Sequence, residues 1–154
     1  MELSAFKKHF QNYFQEKGFE KIKNKYYLKD EQFVCVIDMQ RSYYGPTYYI
    51  NCLFFIGKFE KPYAINQDSI ETYTPFVESR FYFSEKHKYS CDYLDYTEEE
   101  LTRIFDDNYS KIIKPPFEEG KKYFLEHFRT LYTTFLRDER IRPFLENETN
   151  TQLQ

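Results

Sequence analysis

The chain has 154 residues, a net charge of −3, and 21% Phe and Tyr with no Trp. That length predicts a single domain able to bury roughly two thirds of its unfolded surface. The acidic balance argues against a nucleic-acid partner, which needs a basic face for phosphates. Four scattered glycines, Gly18, Gly45, Gly57 and Gly120, supply neither a P-loop nor a dinucleotide fingerprint. No run reaches the ~20 apolar residues of a membrane span. The first residues lack the continuous apolar stretch of a secretory signal. The three cysteines, Cys35, Cys52 and Cys91, show no CxxC spacing. Neither a zinc site nor a redox pair is signalled, and a reduced cytoplasm with free thiols is expected.

Leu3, Phe6, Phe10, Tyr13 and Phe14 recur at spacings of three and four, which predicts an amphipathic helix over residues 3–17. Gly18 suits a left-handed position after the helix. Phe19 can then fold back on Phe14, the hydrophobic contact of a Schellman end. Residues 21–25 are expected as a basic loop, 26–28 as a short strand, and Asp30-Glu31 as a hairpin turn. A long strand follows over 32–41. By its period of two, Phe33, Cys35, Ile37 and Met39 point to one side, and Val34, Val36, Asp38 and Gln40 to the other.

Gly45-Pro46 breaks the run as a turn pair should. A second long strand covers 47–56, with Tyr48, Ile50, Cys52, Phe54 and Ile56 on the helix-facing side. Tyr49, Asn51, Leu53 and Phe55 lie opposite. Asp38, Gln40, Tyr49 and Asn51 thus share an outer, partly covered face, within cross-strand reach of one another if the two strands form an antiparallel hairpin. Residues 57–68 read as a looser stretch and 68–71 as a turn or short helical piece. A further strand is expected over 76–83, with Val77, Ser79, Phe81 and Phe83 alternating against Phe76, Glu78, Arg80 and Tyr82. Residues 89–94 read as a weaker strand or an extended connector.

Thr97-Glu98-Glu99-Glu100 is a capping box that opens a helix. Leu101, Ile104, Phe105 and Ile112 mark its buried side. Pro115-Pro116 is expected to end that helix and start another, whose apolar face runs from Phe117 through Phe124, Leu125, Phe128, Leu131, Tyr132 and Phe135 to Leu136. Residues 1–145 form the domain and 146–154 a polar tail. Strands that cluster between helices predict an α+β fold. Its mostly antiparallel sheet of four to five strands carries an N-terminal helix and two C-terminal helices packed on one face.

Gly18-Phe19, the short strand after it, Ile37-Asp38 with Gln40-Arg41-Ser42, and Tyr48 to Asn51 together form a recognisable set. Over about residues 5–60 the chain resembles a family of small bacterial proteins known as a domain of unknown function, number four-three-zero-four. The resemblance implies a small bacterial cytoplasmic α+β domain and brings no activity or cofactor with it. Domains of this size are frequent among immunity proteins of toxin systems, which is a hint by association only.

Two constellations stand out. Asp38, Gln40, Arg41, Tyr49 and Asn51 sit near the open end of the central hairpin, with Arg41 as an anion clamp. The plainer reading gives the two amides a structural task, satisfying backbone groups at strand ends. The second constellation is acidic. Seven acids against Arg103 leave residues 92–107 at −6, whereas seven lysines against four acids leave residues 1–30 at +3. Glu98, Glu99 and Glu100 suit a helix N-terminus, which already explains them; they also suit steering of a basic partner. His9, His87 and His127 have no second ligand at i+3 or i+4, so no metal is expected. Ser42 and Ser79 lack a glycine elbow. Asp38 with Glu78 is the nearest thing to a catalytic carboxylate pair. The doublets Tyr26-Tyr27, Tyr43-Tyr44 and Tyr48-Tyr49 would line the exposed face with phenols, which suits an interface.

Two functions follow. One is a non-catalytic protein-interaction module, in its finer form an immunity-type protein with a basic partner. The other is a small enzyme or ligand-binding domain built on the polar cluster. Neither needs a cofactor, a membrane or nucleic acid, and both allow a homodimer.

Overall fold

The structure is a computed structural model and describes residues 1–56 and 77–127. The first helix, α1, spans Leu3–Glu16 and buries Phe6, Phe10, Tyr13 and Phe14, the predicted stripe. It ends as its sequence prescribes. Gly18 has φ +92. The Phe19 N–H donates to the Phe14 carbonyl at 3.0 Å and the Gly18 N–H to the Gln15 carbonyl at 3.0 Å. Both bonds of a Schellman end are therefore present. The Phe14 and Phe19 rings meet edge to face at 5.3 Å.

The sheet is an antiparallel meander of β1 (Glu20–Ile22), β2 (Lys25–Lys29), β3 (Phe33–Arg41), β4 (Thr47–Ile56) and β5 (Val77–Arg80), in that order. A two-residue strand, β6 (Cys91–Asp92), pairs with the start of β4. Residues 21–25, expected as a loop, are instead half of a tight hairpin. Ile22 pairs with Lys25, and Lys23 turns the chain at φ +57. Charged side chains hid this strand, since an edge strand needs little apolar content. At the next turn, the Gln32 N–H donates to the Asp30 carboxylate at 3.2 Å, as in an Asx turn.

β3 and β4 pair over nine residues, from Phe33 with Ile56 to Arg41 with Tyr48. Their alternation is the predicted one. Phe33, Cys35, Ile37, Tyr48, Ile50, Cys52 and Phe54 belong to the main core beneath the helices, with Met39 packed against it. Tyr27, Val34, Val36 and Phe55 form a smaller buried cluster on the outer side, with Ile22 and Leu53 against it. The strand expected over 76–83 is regular only at Val77–Arg80. Its alternation continues beyond that, with Phe81 and Phe83 buried and Tyr82 exposed.

Helix α2 (Glu98–Asn108) opens on the predicted capping box. The Glu100 N–H donates to Thr97 Oγ1 at 3.2 Å, and the Thr97 N–H to Glu100 Oε2 at 3.1 Å. The proline pair does not end this helix. A π turn at Tyr109–Ile113 carries it directly into α3 (Lys114–Glu119). The wider turn shifts the hydrogen-bond ladder just before Pro115 and Pro116. They then occupy the start of α3, where a missing N–H costs little. The break comes instead at Gly120, φ +81, before the short helix α4 (Lys122–Glu126). The expected single helix through Leu136 is thus interrupted, and its part beyond residue 127 lies outside the described residues. So do Phe76, residues 57–71 and the tail 146–154.

Phenylalanines hold the layers together. Phe105 of α2 meets Phe10 at 5.8 Å, and Phe124 of α4 meets Phe33 at 5.4 Å and Phe54 at 5.0 Å. Fully burying each such ring contributes roughly 1.5–3 kcal/mol. Most of the described phenylalanines and tyrosines are spent here, in one layer between helices and sheet.

Candidate functional site

The outer face of the sheet divides into two halves. Toward the β2–β3 turn lies the buried cluster around Val34 and Val36. Toward the β3–β4 turn the face becomes polar, because the register sets Lys25, Asp38, Asn51 and Arg80 side by side across β2, β3, β4 and β5. Direct cross-strand neighbours share a face, so these four make one polar rung. Gln40 and Tyr49 make the next rung toward the hairpin tip.

Arg80 organises the site. Its Nε–H donates to Asn51 Oδ1 at 2.9 Å and its Nη2 to Gln40 Oε1 at 3.3 Å. Asn51 Nδ2 donates to the same Gln40 Oε1 at 3.1 Å. A guanidinium can only donate, so it fixes how both amides are turned: each oxygen faces Arg80 or its partner amide. The guanidinium carbon sits 4.4 Å from the centroid of the Tyr49 ring, a cation–π contact.

Three of the five predicted residues, Gln40, Tyr49 and Asn51, are therefore brought together. Asp38 shares their face and is half-buried, directly across from Asn51 and Lys25. Burial raises the Tyr27 hydroxyl above its ordinary pKa, and the Asp38 carboxylate adds to that rise. Arg41 lies elsewhere. It falls on the parity of Met39, on the opposite side of β3 from Gln40, and is exposed at the strand end. Arg80 takes the place that the spacing had given to Arg41. Its place on one face with Glu78 was visible in the sequence. The pairing of Asn51 with Arg80 was not, because 28 intervening residues separate them, including a stretch with no readable pattern.

Asp38 and Glu78 do not form a catalytic pair. Glu78 pairs with Leu53, so a whole strand and a rung separate the two carboxylates, roughly 10 Å at sheet spacing. What lies together on this face is Arg80, the two amides and the neighbouring Asp38. An open cleft of about 1190 Å³ wraps the β5 edge, with Gln40, Asn51 and Arg80 on its outer side and Ile112, Tyr123 and Phe124 on its inner side.

The doublets Tyr26-Tyr27 and Tyr48-Tyr49 each send one ring to the outer side, Tyr27 and Tyr49, but Tyr27 is buried there. Tyr26 and Tyr48 are in the main core and Tyr27 in the outer cluster. Tyr43 and Tyr44 do project, 99% and 87% exposed, at the hairpin tip. They flank a turn in which the Ser42 N–H donates to the Thr47 carbonyl and the Tyr44 N–H to Ser42 Oγ.

The acidic stretch occupies the other layer, at the N-terminus of α2. Glu98 and Glu99 are exposed, whereas Glu100 is engaged in the cap. Asp106 of the same helix accepts a hydrogen bond from the Tyr13 hydroxyl at 2.7 Å, and burial first, then this bond, raises the Tyr13 pKa. Two of the three histidine side chains have structural partners. Thr102 Oγ1 donates to the Glu98 carbonyl at 2.9 Å, which leaves His9 Nε2 as donor to that hydroxyl at 3.0 Å. His127 Nδ1 donates to the Tyr123 carbonyl at 2.9 Å. Among the described residues no three His, Cys, Asp or Glu side chains are grouped to hold a metal ion, and no helix is long and apolar enough to cross a membrane.

One polar residue inside the fold escaped the sequence reading. Asn108, 7% exposed, accepts the Tyr82 N–H at 2.8 Å, and its Nδ2 donates to the Tyr82 and Ile104 carbonyls at 2.9 and 2.8 Å. It serves the backbone just past β5 and so helps to position Arg80.

No curated protein and no solved structure matches the chain. A family model does, over residues 10–147, and it carries the description domain of unknown function (DUF4304). With nearly the whole chain matched, including every strand and helix described after the first turns of α1, the protein belongs to that family.

Proposed function

We propose that this protein is a non-catalytic interaction module that docks a protein partner on the outer face of its sheet. The observation that carries this reading is the Gln40–Asn51–Arg80 network stacked on Tyr49. Arg and Tyr are the side chains most often found as binding hot spots, and an arginine already held in place loses little entropy on docking. Asp38 borders the same surface, and Tyr43 and Tyr44 extend it toward the tip. Affinity capture from the source cell, quantified with the wild type and with Tyr49→Ala, tests it. A partner enriched by the wild type and lost with the variant is expected. Equal recovery with both proteins, or no enrichment at all, refutes it.

The acidic layer supports a finer version: an immunity-type protein of a bacterial cytoplasm with a basic partner. Glu98 and Glu99 are exposed, and they take part in no ion pair among the described residues. Replacing both with Gln should slow association by a few-fold at low salt and leave it unchanged at high salt, measured by stopped flow with the captured partner. An unchanged rate at low salt removes the steering role.

A ligand-binding domain is the second reading. It is supported by the convergence of Gln40, Asn51 and Arg80 on an open cleft.

A further inference from the structure

Among the described residues, Arg80 keeps binding capacity that no neighbour uses. A guanidinium has five N–H donors. Two are engaged, by Asn51 and Gln40. The three left over, two on Nη1 and one on Nη2, lie at the outer end of the fork, the edge that matches the two oxygens of a carboxylate. Among the described residues no carboxylate is within ion-pair distance of Arg80. Glu78 lies two positions away on the same strand, and Asp38 lies one strand beyond Asn51, opposite Lys25. The Tyr49 ring covers one guanidinium face. The amides hold the inner edge, so an arriving acid meets a fixed target.

We propose that Arg80, held by Gln40 and Asn51 and stacked on Tyr49, is the anchor for an aspartate or glutamate side chain of an acidic segment of a partner protein. This rests on the interaction reading above in its general form, not on its basic-partner version, and names the chemistry of the docked group. A protein segment is favoured over a free small acid because the next feature along the hairpin is a pair of exposed phenols, Tyr43 and Tyr44. Such rings offer contact area to a chain passing over the anchor, which a lone carboxylate cannot use.

The test follows the Arg80 Nε–H resonance in the isotopically labelled full chain during titration at physiological salt. The probes are a short blocked oligoglutamate peptide, the matching oligoglutamine peptide, sodium acetate and inorganic phosphate. Oligoglutamate should shift the resonance saturably, and oligoglutamine should not. Acetate and phosphate should act only at roughly tenfold or higher concentration, having no contact beyond the fork. Arg80→Lys keeps the charge and loses the fork. It should weaken oligoglutamate binding, followed through backbone amide shifts, by about tenfold. Gln40→Leu loosens the clamp while leaving Arg80 in place. It should weaken binding several-fold and guards against a folding defect in the lysine variant. No shift with oligoglutamate, or equal affinity in Arg80→Lys, overturns the proposal. Acetate or phosphate binding as tightly as the peptide overturns the protein source and leaves a small-anion site. Partner capture separates the two claims. Loss with Tyr49→Ala but full recovery with Arg80→Lys removes the carboxylate anchor and keeps the interaction module; full recovery with both removes the two together.

Discussion

At the scale of single residues, two side chains do work that strands usually do with backbone. Asn108 holds both the N–H and the carbonyl of Tyr82, completing the ladder where β5 has already ended. Asn108→Ala strips a donor and an acceptor from that backbone and frees the Ile104 carbonyl as well. Tyr82 is 44% exposed, so water can replace part of the loss. A destabilisation of about 2 kcal/mol is expected in urea unfolding at neutral pH, and a loss below ~0.5 kcal/mol would deny Asn108 this role. Arg80 ties the same strand to β3 and β4 from the outer side. Sequence reasoning found Gln40 and Asn51 because alternation fixes their face. It chose Arg41 over Arg80 because Arg41 is near in sequence, but its parity sends it to the other side of β3. Nearness along a strand does not imply a shared face.

At the scale of elements, the ends were more legible than the joints. The α1 terminus and the α2 capping box follow local rules about which backbone groups lack partners, and both appear as predicted. Gly18 allows a clean test. A Cβ at that position would meet Leu28 Cδ1 at 3.7 Å, an ordinary contact, so the cost of Gly18→Ala is the positive φ alone. A loss of about 1 kcal/mol is expected in urea unfolding, with the far-UV spectrum unchanged. No loss would mean that the helix end relaxes to another form. The joints depended on their surroundings. Pro115 and Pro116 look like a stop, and α2 passes them because a π turn absorbs the shift. Lys21 looks like loop, yet it pairs with Tyr26 because β2 offers an edge, and Lys23 makes the turn.

At the scale of the molecule, the fold is a meander with helices on one face and a divided outer face. The cysteines lie in the main core as small apolar side chains. Cys35 and Cys52 approach to 3.7 Å between sulfurs, both fully buried as free thiols. Burial raises the Cys35 pKa, and the neighbouring Cys52 adds to it. Cys91, at the β6 pairing with β4, is pushed from about 9 up to about 12, first by burial and then by Asp92 and Asp95. The folded state therefore holds this proton more tightly than the unfolded state. The associated stability is complete below about pH 9 and is lost as pH rises from there toward 12. At its steepest the loss from this one group approaches ~1.4 kcal/mol per pH unit. Urea midpoints measured at pH 7 and pH 10.5 should converge between the wild type and Cys91→Ala, since the variant lacks the titrating thiol. Parallel lines would show that Cys91 ionises freely in the folded chain.

Sequence by itself determined the α+β class, the long central hairpin with its two faces, the Schellman end after Phe14 and the capping box at Thr97. Each is written in residues a few positions apart, where periodicity and unpaired backbone groups leave one good arrangement. Tertiary structure alone decided that Arg80 completes the cluster of Gln40, Tyr49 and Asn51, that Asn108 serves Tyr82, and that Tyr26 and Tyr27 go inside while Tyr43 and Tyr44 stay out. Those outcomes depend on which strand lies beside which and in what register. The register of β5 on β4 is set by packing of the whole sheet against the helices, which no local stretch of this chain encodes.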